Sequence, residues 1–319
     1  MTLRVVDVSE PGSALDPALL GVPVVAVGSL ADASEFWLQQ ATFTLTEDDA
    51  DDRRVITVAS INGALSDLTA RAERWPMAAA TCDDVLRSVD PAAPALSGVV
   101  TESLAYSTLQ AGPEFARWLA DRGPAAMPDI ADPVQAHRDG DTLRIAFNRP
   151  QRHNAFSTDA RAALLEALAV AQLDSSVTEV VLTGNGPSFC SGGDLDEFGT
   201  FADPASAHLA RTRYSPALAL DAVTSRLGAA CRAEVHGQVL GSGLEMAAFC
   251  GRVEAAPDAV FGLPELSLGL LPGAGGTVSV SRRIGRWRTA FLVLSGSSIG
   301  VETALSWGLV DAKCRPGGM

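Results

Sequence analysis

"LGSGLEMAAFCGRVEAAPDAVFGLPELSLGLLPGAGGT", Leu240 to Thr277, passes from a glycine turn through an apolar helix and two short β runs to a second glycine turn. Gly241-Ser242-Gly243 reads as a helix N-terminus, where the first N–H groups have no partner inside the helix. "RVEAA" and "AVFGL" read as short strands. Two glutamates stand in the stretch, twenty residues apart: Glu245 in the first turn of the helix, and Glu265 after Pro264 among Leu263, Leu266 and Leu268. A buried, unpaired carboxylate is costly and raises its pKa. Two carboxyls facing one substrate can divide the work of acid and base. Spacing alone equally allows Glu245 to cap its helix and Glu265 to be solvated at a loop edge.

Upstream, the alternation of strand and helix continues. "LRIAFN" (Leu143 to Asn148) alternates as a strand does, and "STDARAALLEALAVAQLD" reads as a capped amphipathic helix. "VTEVVLTG" is a buried strand, "PASAHLARTRYSPALALDAVTSRLG" one long helix, and "CRAEVHG" another strand. Such alternation specifies an α/β fold. Between them "GPSFCSGGDLDEFG" places Gly192 and Gly193 side by side, flanked by Ser191 and Asp194. Adjacent glycines let backbone N–H groups turn into a cavity and stabilise an oxyanion, although such a pair also serves an ordinary strand-to-helix turn. The Gly241–Gly243 turn lacks the G-K-[ST] of a phosphate-binding loop and the spacing of a dinucleotide fingerprint.

A stretch rich in Pro, Gly, Ala and Asp, "DRGPAAMPDIADPVQAHRDGD" (Asp121 to Asp141), reads as a linker and divides the chain into residues 1–133 and 134–319. Ahead of it, "VPVVAV" and "RRVITVAS" read as strands and the remainder as helices. In "TESLAYSTLQAGPEFARWLADRG" Gly112-Pro113 separates two helices that pack through Leu104, Leu109, Phe115, Trp118 and Leu119.

The 319 residues are 47% hydrophobic, enough for a sizeable core, and the net charge of −14 argues against a nucleic-acid surface. Lys313 is the one lysine, so any anion site must use arginines and backbone N–H groups. The five cysteines (Cys82, Cys190, Cys231, Cys250, Cys314) are odd in number and scattered, which suggests reduced thiols and neither a disulfide framework nor a zinc site. No basic-then-apolar leader and no long uncharged run is visible, so a cytoplasmic protein without a membrane span is expected.

Five blocks then fall into one pattern: "NRPQRHNAF", "GPSFCSGGDLDEF", "HGQVLGSGLEMA", "PDAVFGLPELSLGLLPGAGGT" and "AFLVLSGSSIGVETALSWGLVD". In this order they resemble the enoyl-CoA hydratase/isomerase, or crotonase, superfamily over about Val134 to Asp311. The resemblance implies a crotonase-like spiral of ββα units, assembled as a homotrimer or dimer of trimers. It implies a coenzyme A thioester as substrate, with no separate cofactor or metal. The oxyanion hole falls on the N–H groups of Gly193 and Ser242, where serine replaces the more usual glycine or alanine. The acid/base pair falls on Glu245 and Glu265. Substrate contacts fall on Arg149, Asn154, Ala155, Ser191, Gly192, Asp194, Leu195, Gly241 and Gly273. The implied reaction is hydration or dehydration of a 2-enoyl-CoA. A double-bond isomerase or another acyl-CoA reaction is the runner-up, and a non-catalytic assembly partner is the alternative of a different class.

The family usually continues past "GLVD" with helices that close the site. Leu68 to Gly123 resembles that region, with Glu102, Tyr106, Phe115 and Leu119 fitting its pattern. A mainly helical N-terminal extension that replaces the usual C-terminal cap, in a permuted order, is therefore expected.

Overall fold

Four short apolar runs near the start, β1 (Arg4–Asp7), β2 (Val24–Val27), β3 (Phe43–Thr46) and β4 (Val55–Thr57), pair in parallel in the order β1-β2-β3-β4. The structure, a computed structural model, describes residues 3–12, 21–125, 131–201 and 203–314. A parallel sheet is stable when both faces are covered, and β3 is buried along its whole length. Successive strand residues point to opposite faces. Val6, Val8, Val24 and Ala26 therefore form a small cluster with Trp37, from the short helix α1 (Glu35–Gln40). Val25, Phe43, Leu45 and Ile56 face the other way into the main core.

Four helices follow: α2 (Ile61–Arg74), α3 (Pro76–Ser88), α4 (Ala95–Gln110) and α5 (Pro113–Arg122). Ser60 caps α2 by accepting from Gly63 N–H. Pro76 and Pro113 open α3 and α5 at the one helical position where a missing N–H costs nothing.

The antiparallel hairpin β5 (Val134–Asp139) and β6 (Thr142–Phe147) then leads into α6 (Thr158–Leu173), capped by Ser157, and on to β7 (Glu179–Gly184). After α7 (Pro204–Arg213) and α8 (Pro216–Leu227) the chain makes two similar turns. One is β8 (Cys231–Val235), β9 (Gln238–Leu240) and α9 (Ser242–Phe249); the other is β10 (Arg252–Ala255), β11 (Val260–Gly262) and α10 (Gly276–Ser295). In each turn the first strand joins the larger sheet and the second joins the smaller one. With β12 (Ile299–Gly300), α11 (Val301–Trp307) and β13 (Ala312–Lys313), the sheet orders are β13-β10-β8-β7-β6-β5 and β12-β11-β9. This is the ββα spiral that the sequence resemblance implies.

Two expectations need correction. The long helix expected from Pro204 to Gly228 is broken at Ser215-Pro216. Proline removes an N–H and clashes with the preceding turn, so Pro216 starts α8 instead, and Ser215 caps it by accepting from Leu218 N–H. The linker read at Asp121–Asp141 contains the end of α5 and all of β5; its residues 126–130 lie outside the described residues. β5 escaped notice because it is an edge strand, largely exposed, and carries no alternating apolar face. Apart from the small cluster around Trp37, apolar residues ahead of β5 pack into the main core. Phe43, Leu68 and Leu86 share one apolar cluster with Ile284 and Leu292 of α10. A Cβ on Gly98 of α4 would lie 2.4 Å from Val278 Cγ2, so only glycine lets α4 approach α10 this closely.

Candidate active site

The two glycine-rich loops are joined by a backbone bridge. Cys190 N–H donates to Gln238 O and Leu240 N–H donates to Cys190 O, each at 3.0 Å. Residues 191–194 thereby lie against residues 241–243. Gly192 takes φ +99° with a prospective Cβ 3.3 Å from Leu240 O, and Gly241 takes φ +47° with a prospective Cβ 2.6 Å from Glu265 Oε1. Side chains at either position would meet both strain and contact. The neighbouring amides are committed: Asp194 N–H donates to Phe156 O at 2.9 Å and Gly241 N–H to Gly262 O at 3.0 Å. Gly193 N–H and Ser242 N–H have no acceptor among the described residues. Ser242 opens α9, so its N–H also carries the positive end of the helix dipole.

Glu245, on α9, is 1% exposed. Its Oε2 accepts from Ala274 N–H and Gly276 N–H, both at 2.7 Å. Burial raises its pKa, and these N–H groups pull the other way. Glu265 opens the 3-10 turn Glu265–Leu268 and is 8% exposed. Its Oε2 is buried with no hydrogen-bond partner among the described residues. Burial pushes its pKa well up, and the charge of Glu245 adds to the shift, followed by that of Glu102. The two carboxyls are thus unlike. One is held as an acceptor by backbone N–H groups, and the other is driven toward its protonated form.

A third carboxyl completes the arrangement. Glu102 on α4 accepts from Gly275 N–H (2.7 Å), Thr277 N–H (2.9 Å) and Thr277 Oγ1 (2.7 Å). The N–H groups of residues 274–277 therefore alternate between two buried carboxyls, Glu245 on one side and Glu102 on the other. Burial, then the charge of Glu245, raises the pKa of Glu102 as well. The same helix brings Tyr106 against Gly273, where a Cβ would lie 2.4 Å from the ring. The sequence places Glu102 in a closing helix but not at the site. A signal exists: Val99, Glu102, Ser103, Tyr106 and Ser107 share the buried face of α4.

Glu102 lies behind one cavity of about 310 Å³ that the other two carboxyls border. Glu245, Glu265, Gly193, Ser242, Ser191, Gly192, Leu195, Gly241 and Gly273 all line it, as expected. Val99, Ser103, Tyr106 and Gln110 of α4 line it too, so the helical segment Leu68–Gly123 closes the cavity within the chain. Arg149, Asn154, Ala155 and Asp194 do not line it. The Arg149 guanidinium is buried, bonded to Ala155 O and paired with Asp194 at 2.8 Å. Asn154 accepts from Arg149 N–H and donates to Asn185 O and Ser188 O. Arg152 joins Asp194 at 2.8 Å from the partly exposed side. This network braces the loop that carries Gly193. His153 and His236 are likewise bound, to Ser188 Oγ and Gly186 O, each at 2.9 Å. Burial pushes the Cys190 thiol up to about 12, so it is no nucleophile. The residues that sequence reading missed are Glu102, Phe156, Arg161, Phe198 and Arg211.

A ββα spiral whose two loops aim unpaired N–H groups past two buried glutamates defines the crotonase class of fold and site. Residues 138–315 match the family model described as enoyl-CoA hydratase/isomerase, and the chain belongs to that family. It is 38% identical over 169 residues to the 2,3-dehydroadipyl-CoA hydratase of Escherichia coli (strain K12), a match covering 53% of this chain and 64% of that one. The chain thus spans just under two thirds of that relative's length. Among solved structures it resembles an enoyl-CoA hydratase from Thermoplasma volcanium GSS1 (33% identity, TM-score 0.50, 58% of this chain and 72% of that one). An enoyl-CoA hydratase of Mycobacterium smegmatis is also similar (30% identity, TM-score 0.50, 58% and 70%). No helix among the described residues is long and apolar enough to cross a membrane.

Proposed function

We propose that the protein adds water to a 2-enoyl-CoA thioester, or removes it in reverse. The observation that carries this reading is the pair of unlike carboxyls, Glu245 and Glu265, on the same cavity as the free N–H groups of Gly193 and Ser242. The thioester oxygen accepts from those two N–H groups, which stabilise the enolate as charge moves onto it. One such donor is worth about 2.7–4 kcal/mol in the transition state. Glu245, fixed through one oxygen, keeps the other to orient water and take its proton as the water oxygen bonds to C3. Glu265, protonated, delivers a proton to C2. The water is thereby split across the former double bond, and the two carboxyls exchange their protonation states. Helix α4 closes the site, in the role that the family's C-terminal helices fill.

Loss of the conjugated-enoyl absorbance from short 2-enoyl-CoA thioesters tests the reading, with Glu265→Gln alongside. A drop of roughly 100-fold or more in the variant supports it. If 2-enoyl thioesters persist while 3-enoyl thioesters gain conjugation, the reaction is double-bond isomerisation instead.

A further inference from the structure

The cavity holds two arginines that the proposed hydration does not use. Arg211 of α7 lies over the Tyr106 ring, 4.5 Å from its centroid. Its donors reach Gln110 Oε1 (2.9 Å), Ser103 Oγ (3.2 Å), Ser103 O (3.4 Å) and Ser107 Oγ. Every one of these acceptors is neutral. Arg161 of α6 lines the same cavity, and its guanidinium makes no hydrogen bond or ion pair among the described residues. Burial lowers the pKa of both guanidiniums; Glu197 and Tyr214 pull Arg161 the other way, and Tyr106 and Glu102 do so for Arg211, ahead of a lowering by the charge of Arg161. In a chain of net charge −14, two half-buried cations line one cavity without a carboxylate salt bridge, which leaves their donors open to an anionic ligand.

The carboxyls that face these arginines do not neutralise them by contact. Glu102 is bound to Gly275 and Thr277, and Glu245 to Ala274 and Gly276. Glu265 is driven toward its neutral form. Glu197 accepts from Thr158 N–H (2.7 Å) and Thr158 Oγ1 (3.0 Å) at the start of α6. Position matters as well. Tyr106, beneath Arg211, packs on Gly273 beside the segment that holds Glu245. Arg211 thus stands one aromatic ring beyond the segment that holds Glu245, and Val99, Phe156, Leu195 and Phe198 supply apolar wall around the space that Arg211 and Arg161 share.

We propose that Arg211 and Arg161 form a subsite for a second anionic group, and that the preferred substrate is a thioester whose acyl chain ends in a carboxylate. This rests on the acyl-CoA reading of the cavity. Methylenes occupy the apolar wall, and the terminal carboxylate accepts from the two guanidiniums, relieving their mutual repulsion. A phosphate of the coenzyme offers similar chemistry, and the test separates the two sources.

Two six-carbon 2-enoyl-CoA thioesters, one ending in methyl and one in carboxylate, are compared by kcat/KM in the wild type, Arg161→Gln and Arg211→Gln. The wild type is expected to favour the carboxylate by tenfold or more. Each variant is expected to cut that ratio by about tenfold to a hundredfold, the scale of charge-assisted bonds. Arg161→Gln guards against misfolding, because its side chain bonds to nothing else described. A wild-type ratio near one, or variants that slow both thioesters equally, overturns the proposal; the second result assigns the arginines to the coenzyme. Calorimetric binding of the saturated six-carbon thioesters makes the same comparison without turnover. Equal affinities overturn the anion subsite, whereas unequal affinities without turnover support it and overturn only the hydratase reading.

Discussion

Replacing Glu102 with alanine strips three buried donors, Gly275 N–H, Thr277 N–H and Thr277 Oγ1, of their acceptor. A buried donor left unsatisfied costs about 1–3 kcal/mol, so the gross loss is on the order of 3–9 kcal/mol. Removing a carboxyl that burial had already made costly returns part of this. A net loss of about 3–5 kcal/mol is expected, the range for breaking a buried polar pair from one side. That is a large fraction of the roughly 5–15 kcal/mol that holds a typical domain folded. Glu102→Gln keeps the volume, but its amide can accept on one side only, so about 1–2 kcal/mol is expected. Urea unfolding at pH 7 measures both, provided the slope m is unchanged. The residues that Glu102 binds alternate with those that hold Glu245, so kcat should also fall in Glu102→Gln, although Glu102 is placed as a positioning residue. A Glu102→Ala protein within about 0.5 kcal/mol of the parent, below the cost of even one orphaned donor, would refute the reasoning.

Stability should fall as pH rises from 5 to 8. Glu102, Glu245 and Glu265 all have raised folded pKa values, so their stabilising contribution is complete below the unfolded value and is lost as pH rises through the folded ones. Carboxylates with lowered values, such as Asp174, complete their contribution below that window. A thermal midpoint that stays level or climbs, or a Glu265→Gln variant with an equally steep fall, contradicts this. Asp194→Asn should cost about 3–5 kcal/mol in chemical denaturation, because it leaves buried Arg149 unpaired; a change under about 1 kcal/mol would show the pair to be dispensable. Gly192→Ala should lower kcat more than it raises KM. Its φ of +99° and the approach to Leu240 O put strain of about 1–3 kcal/mol beside the Gly193 donor, and unaltered kinetics would remove the loop from the mechanism.

Features that depend on near neighbours in the chain were legible in the residues. The glycine turns at Gly192-Gly193 and Gly241–Gly243, the break at Gly112-Pro113 and the helix start at Ser157 are local events, and each residue type accounts for its own geometry. The apolar surroundings of Glu245 and Glu265 were legible too, but spacing alone left both open to bland roles, and the family resemblance singled them out as a pair. The break at Pro216 was equally local but was hidden by the helical pattern on either side of it. Tertiary structure decided the rest. Arg149 braces the Gly193 loop because Asp194, far along the chain, meets it in a buried site. Glu102 joined the site because α4 folds back over residues that come much later in sequence. Its partners there are mostly backbone N–H groups, which every residue but proline carries, so no side-chain pattern could announce the contact. Arg161 and Arg211 sit on different helices, and only packing brings their charges to one cavity. Local conformation follows from the residues that adopt it, whereas the meeting of distant groups depends on how whole elements pack.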